Sequence, residues 1–270
     1  MTPDRLVAHP PFTIHQYAVL GSTNDQLKSM GEAPEFTCVV AASQTAGRGR
    51  RDRAWHSSPG DGLYLSVLLR PTPAAAPHIP LLSLLSAVAV AETLIGLDVG
   101  GVDIKWPNDV LVKGRKISGI LVEGASGANS LRVILGIGVN LNHPSFPPEI
   151  AQIATSLLIE TGNGIEVDRF RDRLLDRIAH GYAGWARGDF AALLDRWRER
   201  SSTWRGQRVQ VSLDVEQLTG TTVNVTESGA LLVRTDAGEL RAILAGDVTR
   251  LRAKSEQGTV EQENSSAGAR

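Results

Sequence analysis

The amino-acid sequence predicts an α/β (α+β) fold, in which helices flank a mixed β-sheet and a small antiparallel β-unit follows. Short β-rich runs alternate with glycine-rich connections over residues 12–145, and a helical period begins near residue 168. A period of two appears after residue 206. The chain has 270 residues, of which 42% are hydrophobic and 21% are charged, so it can bury a large core.

Five β-rich runs are predicted to form the sheet: residues 36–43, 62–70, 102–106, 116–123 and 131–139. A segment rich in leucine and alanine at 81–97 predicts a long helix packed on that sheet, and residues 25–30 predict a shorter helix. Apolar residues at spacings of three and four predict an amphipathic helix from Asp168 and another helix at 190–200.

The segment after Gly206 predicts a separate β-unit. Alternating apolar residues around Val209 and Leu231 predict strands, and turn signals at 227–229 and 236–238 predict hairpins. This run of hairpins has the size of a small SH3-like β-barrel. The expected organisation is therefore a large domain over residues 12–203, an SH3-like C-terminal domain over 206–252 and a disordered tail over 253–270.

Composition argues against several partners and compartments. The formal net charge is −1, so no overall field would attract DNA or an anionic membrane. The apolar segment 81–97 contains polar residues and is shorter than the ~20 residues that span a bilayer. The N-terminus has no apolar signal region, and the single cysteine, Cys38, cannot form an internal disulfide. A reducing, cytoplasmic location is expected.

Familiar catalytic signatures are missing from the sequence. Residues 114–119 have the glycine spacing of a phosphate-binding P-loop, but Ile120 and Leu121 stand where lysine and serine or threonine are required. No G-x-S-x-G elbow occurs, and the histidines do not fall at metal-ligand spacing. These patterns exclude a P-loop and disfavour a zinc or serine hydrolase.

A segment rich in arginine and glycine follows the predicted strand 36–43. Within residues 44–55, four arginines lie in six consecutive positions and Trp55 ends the segment. Glycines allow close approach of the backbone to an anion, and guanidinium groups bind phosphate oxygens in pairs. The flat face of Trp55 can stack on a nucleobase. A solvated basic loop and an Arg-Gly RNA-binding segment are the alternatives.

Polar residues also follow the predicted strand 102–106. Lys105, Asn108 and Asp109 place a cation, an amide and a carboxylate at the end of a strand, where α/β sheets tend to bind ligands. Pro107 restrains the chain at this point. Such a group can hold a nucleotide or hydrated Mg²⁺, although an ordinary Asn-Asp turn has the same sequence.

Two further features lie inside predicted strands. Lys116 begins the apolar strand 116–123, where its ammonium can meet a carboxylate ligand or cover apolar surface. Gly136 and Gly138 lie within 131–139 and weaken that strand unless another group must approach its backbone closely. A β-bulge is the alternative explanation for these glycines.

Five motifs occur together in this chain: Gly21-Ser22-Thr23-Asn24, Gln44-Thr45-Ala46-Gly47-Arg48-Gly49-Arg50 with Trp55, Lys105-Trp106-Pro107-Asn108-Asp109, Arg115-Lys116 with Ser118-Gly119-Ile120-Leu121, and Gly136-Ile137-Gly138-Val139-Asn140. In order and spacing they resemble the motifs of the biotin–protein ligases, also called biotin–[acetyl-CoA-carboxylase] ligases. The resemblance is strong over residues 12–160 and weak over 206–252.

The resemblance implies a reaction in two steps. Biotin and MgATP give biotinyl-5′-adenylate and pyrophosphate, and a lysine of a biotin carboxyl carrier domain then attacks the mixed anhydride. That carrier domain would belong to acetyl-CoA carboxylase or a related acyl-CoA carboxylase. Because the reacting carboxylate belongs to the substrate, the enzyme must supply positioning and charge neutralisation. The expected small molecules are ATP, Mg²⁺ and biotin, and the ligands of the metal stay unassigned.

The resemblance also implies roles for individual residues. Arg48, Arg50 and Lys116 would hold the biotin carboxylate and the α-phosphate, while Lys105 and Asp109 would contact phosphate, metal or the incoming lysine. The residues that would bind biotin or the nucleotide are Ser22, Thr23, Asn24, Gln44, Gly47, Gly49, Arg51, Arg53, Trp55, Asn108, Gly119, Ile120, Gly136, Ile137, Gly138 and Asn140.

Some of these residues have more specific expected roles. Trp55 would stack on adenine, and Asn108 and Asn140 would bind the nucleotide. Three prolines predict that residues 142–150 form a loop. Its Phe146 would either close over the adenylate or pack on the edge of the sheet.

Three other functions have less support in the sequence. A bifunctional ligase that represses transcription carries an N-terminal helix-turn-helix, whereas 21 residues precede Ser22, so a monofunctional ligase without a DNA-binding domain is expected. A lipoate–protein ligase is the second choice, because its Arg-Arg-x-Ser-Gly-Gly-Gly pattern is absent. An Arg-Gly nucleic-acid binder would need an excess of positive charge. A homodimer is left open.

Overall fold

The computed structural model describes residues 1–126, 131–213 and 216–251. A large sheet contains the strands β1 Arg5–His9, β2 Phe12–Leu20, β3 Thr37–Gln44, β4 Gly62–Leu69, β5 Val102–Lys105, β6 Asp109–Val112, β7 Arg115–Ser126 and β8 Leu131–Asn140. Their spatial order is β1-β2-β3-β4-β8-β7-β6-β5. Strands β2 and β3 run parallel and the other neighbours run antiparallel, so the predicted mixed sheet is confirmed.

Helices cover both faces of this sheet. They are α1 Thr23–Ser29, α2 Leu81–Ile95, α3 Leu157–Thr161, α4 Val167–Ala186 and α5 Phe190–Glu199. Helix α2 packs between the sheet on one side and α4 and α5 on the other, which is why most of its side chains are apolar and buried. Helix α1 lies on the opposite face, where Leu27 packs against Val39, Leu68 and Ile134.

Four elements differ from the sequence-based expectation: β1, β2, β6 and α3. The sheet begins at Arg5, before residue 12, because β1 and β2 form a hairpin around the cis Pro10-Pro11 bond. Asp109 is the first residue of β6 and pairs with Lys105 across a tight turn that contains the cis Trp106-Pro107 bond. Helix α3 was not predicted.

The C-terminal part is a second sheet, as the sequence predicts. Its strands are β9 Arg208–Ser212, β10 Gln217–Val225, β11 Leu231–Thr235, β12 Leu240–Ile243 and β13 Asp247–Arg250. They are antiparallel in the order β12-β11-β10-β9-β13. The disordered tail expected over 253–270 lies outside the described residues.

The two sheets share one apolar core. Val209 and Val211 of β9 belong to the same buried cluster as the leucines of α2. Trp106 is 2% exposed, and its indole Nε1 donates a hydrogen bond of 3.0 Å to the carbonyl of Gly229. Within the described residues, no helix is long and apolar enough to cross a membrane.

Candidate active site

A flat floor forms where β7 and β8 lie side by side on the α1 face of the sheet. Gly119 and Gly138 pair directly across these strands. The indole of Trp55 lies against both: a methyl group would lie 2.5 Å from Trp55 Cε2 if added at Gly138 and 2.9 Å from Cζ3 if added at Gly119. Glycine is therefore required at these positions for an aromatic ring to rest on the sheet.

A polar network lies beside this floor, where Gly136 leaves room for the amide of Asn24. Ser66 Oγ donates to Asn24 Oδ1 at 2.5 Å and lies within hydrogen-bonding distance, 2.8 Å, of Thr23 Oγ1. Asn24 Nδ2 donates to Glu123 Oε2 at 2.6 Å. Burial alone would raise the pKa of Glu123, but hydrogen bonds from Lys28 and Asn24 bring it below its ordinary value.

The start of α1 is tied to the end of β3 through Gln44. Its side-chain Oε1 accepts hydrogen bonds from the Thr23 backbone N–H at 2.8 Å and from Thr23 Oγ1 at 3.1 Å. Ser22 is the extended residue that precedes α1. These bonds hold the Ser22–Asn24 segment against the floor, with its polar groups buried.

The arginine-rich segment folds into a closed loop. Trp55 N–H donates to the Gly47 carbonyl at 2.9 Å and Gly49 N–H donates to the Arg53 carbonyl at 2.7 Å. A methyl group at Gly47 would lie 2.9 Å from the Trp55 carbonyl oxygen, so this close crossing also needs glycine. At the tip, Arg51 has a positive φ of 54°.

Carboxylates outside the loop bind its arginines. Arg48 forms an ion pair with Asp25 of α1, and Arg53 forms one with Asp247 of β13. Arg51 Nη1 lies 3.3 Å from the same Asp247, and its Nη2 donates to the carbonyl of Ser212 at 3.0 Å. The loop is thus held between the two sheets.

Arg50 lies deeper than the other loop arginines. It donates from Nη1 to Asn108 Oδ1 and to the Gly246 carbonyl, both at 3.3 Å. Burial lowers the pKa of Arg50, although the nearby carboxylate of Asp247 opposes this shift. Asn108 in turn donates from Nδ2 to the Ile120 carbonyl at 2.8 Å, which fixes the amide that Arg50 contacts.

Lys116 places its ammonium above the floor. Its Nζ lies 2.6 Å from Asp109 Oδ1 and 5.4 Å from the centre of the Trp55 ring. The pairing of β6 with β7 shifts register at this point, because Val110 faces Ser118 whereas Leu111 faces Lys116. This bulge changes the direction of the Lys116 side chain relative to the other side chains of β7.

These features enclose a cavity of about 480 Å³. The structure brings nearly all the predicted site residues to its walls: Arg48, Arg50, Lys105, Asp109, Lys116, Ser22, Thr23, Asn24, Gln44, Gly49, Arg53, Trp55, Asn108, Gly119, Ile120, Gly136, Ile137, Gly138 and Asn140. Gly47 and Arg51 do not line it, since Gly47 serves the loop crossing and Arg51 turns toward the second sheet. Asn140 points its Nδ2 to the Thr155 carbonyl at 3.0 Å.

An apolar wall faces the floor and was not predicted in full. It comprises Phe146, Ile150, Ile153 and Ala154, on a segment that pairs with Lys116 through a 2.7 Å hydrogen bond from Lys116 N–H to the Ile153 carbonyl. The prolines of residues 142–150 indicated a loop, but no local signal placed Ile150 or Ile153 at a site. Asp247, which also lines the cavity, gave no signal either.

Phe146 rests on an imidazole. Its ring stacks on His143 with centres 5.1 Å apart and meets the edge of His56 at 6.2 Å. Phe146 also lines the cavity. His143 is buried, and this burial lowers its pKa, although Asp61 opposes the shift.

Comparison with known proteins places the chain among ligases. Residues 17–140 match the biotin/lipoate A/B protein ligase family, and residues 206–250 match the biotin protein ligase C-terminal domain. The chain is 33% identical over 242 residues to the biotin–[acetyl-CoA-carboxylase] ligase of Mycobacterium tuberculosis, with 87% of this chain and 88% of that protein covered. The chain belongs to the biotin protein ligase family.

Other members of the biotin protein ligase family extend this comparison. The bifunctional ligase/repressor BirA of Bacillus spizizenii is 36% identical over 229 residues, which is 80% of this chain and 66% of that protein. The chain thus spans about two thirds of that relative. The biotin protein ligase of Aquifex aeolicus, solved in complex with biotin and ATP, has a TM-score of 0.77 at 31% identity, with 89% of this chain and 99% of that chain covered.

Proposed function

We propose that this protein activates biotin with ATP and transfers it to a lysine of a biotin carboxyl carrier domain. The observation that carries the proposal is one cavity in which a flat glycine floor, an apolar wall and cations on the arginine-rich loop and β7 meet. A bicyclic, largely apolar acid fits the floor and wall, and its carboxylate needs the cations. Family membership supports the same reaction.

In the first step, a biotin carboxylate oxygen attacks the α-phosphorus of ATP, and the bond to the departing pyrophosphate breaks. We assign Arg48, Arg50 and Lys116 to hold the carboxylate and the α-phosphate together, because each presents a cation to the cavity. Bringing two anions into contact is the main obstacle, and fixed cations remove it. The loop also keeps water from the reactive anhydride.

ATP brings Mg²⁺, which would neutralise its phosphate oxygens. The described residues contain no cluster of three His, Cys, Asp or Glu side chains that could hold a metal. Of the described residues, Asp109 and Asp247 are the carboxylates that line the cavity and would be within reach of such an ion. We propose that Lys105 and Asp109 contact the phosphates, the metal or the incoming lysine.

The nucleotide is proposed to stack on Trp55. The indole already lies on the glycine floor, and its Nε1 is buried with no hydrogen-bond partner in the described residues. A buried N–H without a hydrogen-bond partner destabilises the protein. A ligand that accepts a hydrogen bond from this N–H, or that allows the ring to turn, therefore gains binding free energy. We place Asn108 and Asn140 beside the nucleotide and the Ser22–Asn24 segment beside biotin.

The acceptor protein and the cellular location are further parts of this proposal. We infer that the acceptor is the carrier domain of acetyl-CoA carboxylase or a related acyl-CoA carboxylase, as the name of the Mycobacterium tuberculosis relative suggests. A single, buried cysteine suits a reducing cytoplasm. Lipoate stays as the second candidate acid, because the matched family includes lipoate ligases.

An ATP–pyrophosphate exchange assay tests this function. Purified protein is incubated with MgATP and labelled pyrophosphate, and with biotin, with lipoate or without an acid. Exchange that requires biotin is expected. Equal exchange without an acid, or exchange that requires lipoate instead, would overturn the proposal.

A further inference from the structure

Asp25 presents a carboxylate to the residue proposed to bind the ligand's anion. It lies in the first turn of α1, directly after Thr23 and Asn24, which line the cavity. Arg48 Nη2 forms an ion pair with Asp25 Oδ1. The carboxylate of Asp25 is the same chemical group as the reacting end of biotin, so Arg48 already holds an anion belonging to the protein.

Glu123 lies near the same guanidinium but has other partners. Its Oε1 accepts from Lys28 Nζ at 2.6 Å and its Oε2 accepts from Asn24 at 2.6 Å, whereas Arg48 Nη2 is 3.8 Å away. The Glu123 side chain is 24% exposed, compared with 54% for Asp25. Glu123 therefore belongs to the buried polar network, and Asp25 is the more exposed acid that holds Arg48.

We propose that Asp25 is a positioning residue that competes with the ligand for Arg48. Asp25 pairs with the guanidinium of Arg48, which lines the cavity, and the adenylate must replace Asp25 as its partner. This inference rests on the proposed function, because it takes Arg48 as the ligand's anion contact. Its consequence is that Asp25 shortens the time for which the adenylate is retained.

The size of the effect follows from the exposure of the pair. The Arg48 side chain is 38% exposed and that of Asp25 is 54% exposed, so solvent screens their attraction. Ion pairs of this kind shift an equilibrium by about 1.5-fold to fivefold. Removing the charge of Asp25 should therefore slow adenylate release by that factor.

The test measures release of adenylate from the intact protein. Wild type and the variant Asp25→Asn are loaded with biotin and labelled MgATP, and the dissociation of biotinyl-5′-adenylate is followed after a chase with unlabelled ligand. Slower release from Asp25→Asn is expected. Asp236→Asn is the matched control, because Asp236 also pairs with an arginine, Arg208, and is also 54% exposed, but on the second sheet. It should release adenylate at the wild-type rate.

The same substitution in an Arg48→Ala variant separates competition for Arg48 from a general effect of removing a negative charge. Arg48→Ala should release adenylate faster than wild type, and adding Asp25→Asn to it should change nothing further. If Asp25→Asn slows release equally in both backgrounds, or does not slow it in the wild type, Asp25 does not act through Arg48. A wild-type protein that forms no biotin-dependent adenylate would instead overturn the proposed function.

Discussion

Two lysines of the β6–β7 hairpin have different surroundings although they lie close in sequence. Lys116 is held by Asp109 at 2.6 Å above the Trp55 ring, inside the cavity. Lys113 occupies the turn with a φ of 49° and pairs with Glu160 at 3.0 Å, outside the cavity. Charge alone therefore does not distinguish these residues, but position does.

Lys116→Ala is expected to reduce biotin-dependent adenylate formation about 10²-fold to 10³-fold, as loss of a fixed charge-stabilising group does in other active sites. Lys113→Ala should stay within about twofold of wild type, because Lys113 does not line the cavity and Arg115 still pairs with Glu160 at 2.7 Å. Initial rates of adenylate formation measure both. Equal losses would show that the hairpin acts only as a basic surface.

Phe146 is half-buried on the cavity wall, so its truncation should affect ligand more than fold. Phe146→Ala is expected to weaken adenylate binding about tenfold, or ~1.4 kcal/mol. Loss of the ring contacts with His143 should lower the melting temperature only by about 2–4 °C. A binding titration beside a thermal melt measures both effects. A large fall in melting temperature with unchanged affinity would assign Phe146 to the core instead.

The glycines and acids of the site show how far sequence reasoning reaches. Gly136 and Gly138 inside a strand correctly indicated a close approach to the backbone, but the pattern does not say which group approaches. The structure places Asn24 and Trp55 there. Asp25 drew no attention because a single exposed acid has no local signature, and its pairing with Arg48 depends on tertiary structure.

At the scale of elements, the arginine-rich loop places four positive charges within residues 48–53, and these charges repel one another. In the structure, Asp25 and Asp247 supply the anions, and the backbone closes through the Gly49–Arg53 hydrogen bond. The loop is therefore ordered by acids from elements on both sides of it.

Asp247 binds two of the loop's arginines, Arg51 and Arg53, from the second sheet. Asp247→Asn is expected to increase the rate of trypsin cleavage within residues 48–53 severalfold in the ligand-free protein, because weaker tethering raises the open population. Mass spectrometry of the fragments measures the rate at this loop. Asp236→Asn, which removes an exposed acid from the turn after β11, should leave the cleavage rate unchanged. Unchanged cleavage in Asp247→Asn would show that the tether is weak.

The hairpin of β1 and β2 could not be predicted from the hydrophobic pattern of the sequence. The side chains of β1 are mostly exposed, so no apolar alternation identifies it, and Pro10 and Pro11 suggest a break. β1 is an edge strand that pairs on one side only, which tolerates such a sequence. Buried strands such as β4 and β8 were recognised because both their faces are apolar.

At the scale of the molecule, the fold class followed from periodicity, but the joining of the two sheets did not. Trp106 lies within a predicted ligand motif, yet its indole is used to reach Gly229 of the second sheet. That sheet brings Asp247 to the cavity. Contacts between parts far apart in sequence depend on complementary shape, which a single sequence does not display.

Stability should depend on pH through His143. Burial lowers the pKa of His143 in the folded protein, with Asp61 opposing and His56 adding to the shift. The unfolded chain therefore binds a proton first, so the free energy of unfolding is highest above the ordinary pKa of about 6.5 and falls as pH drops toward the folded pKa.

Denaturant unfolding at pH 7.5 and 5.5 checks this dependence. The difference in unfolding free energy between the two pH values should be smaller in His143→Gln than in wild type. His180→Gln, at an exposed position of α4, should keep the wild-type difference. Burial also lowers the pKa of His15, so His15 would contribute to the pH dependence of stability that remains in His143→Gln. An unchanged difference in His143→Gln would remove His143 from the explanation.

The position of Trp55 also gives the protein an optical reporter of its own. The other four tryptophans, Trp106, Trp185, Trp197 and Trp204, do not line the cavity. Trp55 lies on the cavity floor, so any molecule that covers or displaces its ring changes the polarity around one indole and leaves the other four as a constant background. Occupancy of the site can therefore be read from the intrinsic fluorescence of unlabelled protein, and inhibitors can be screened by the same emission.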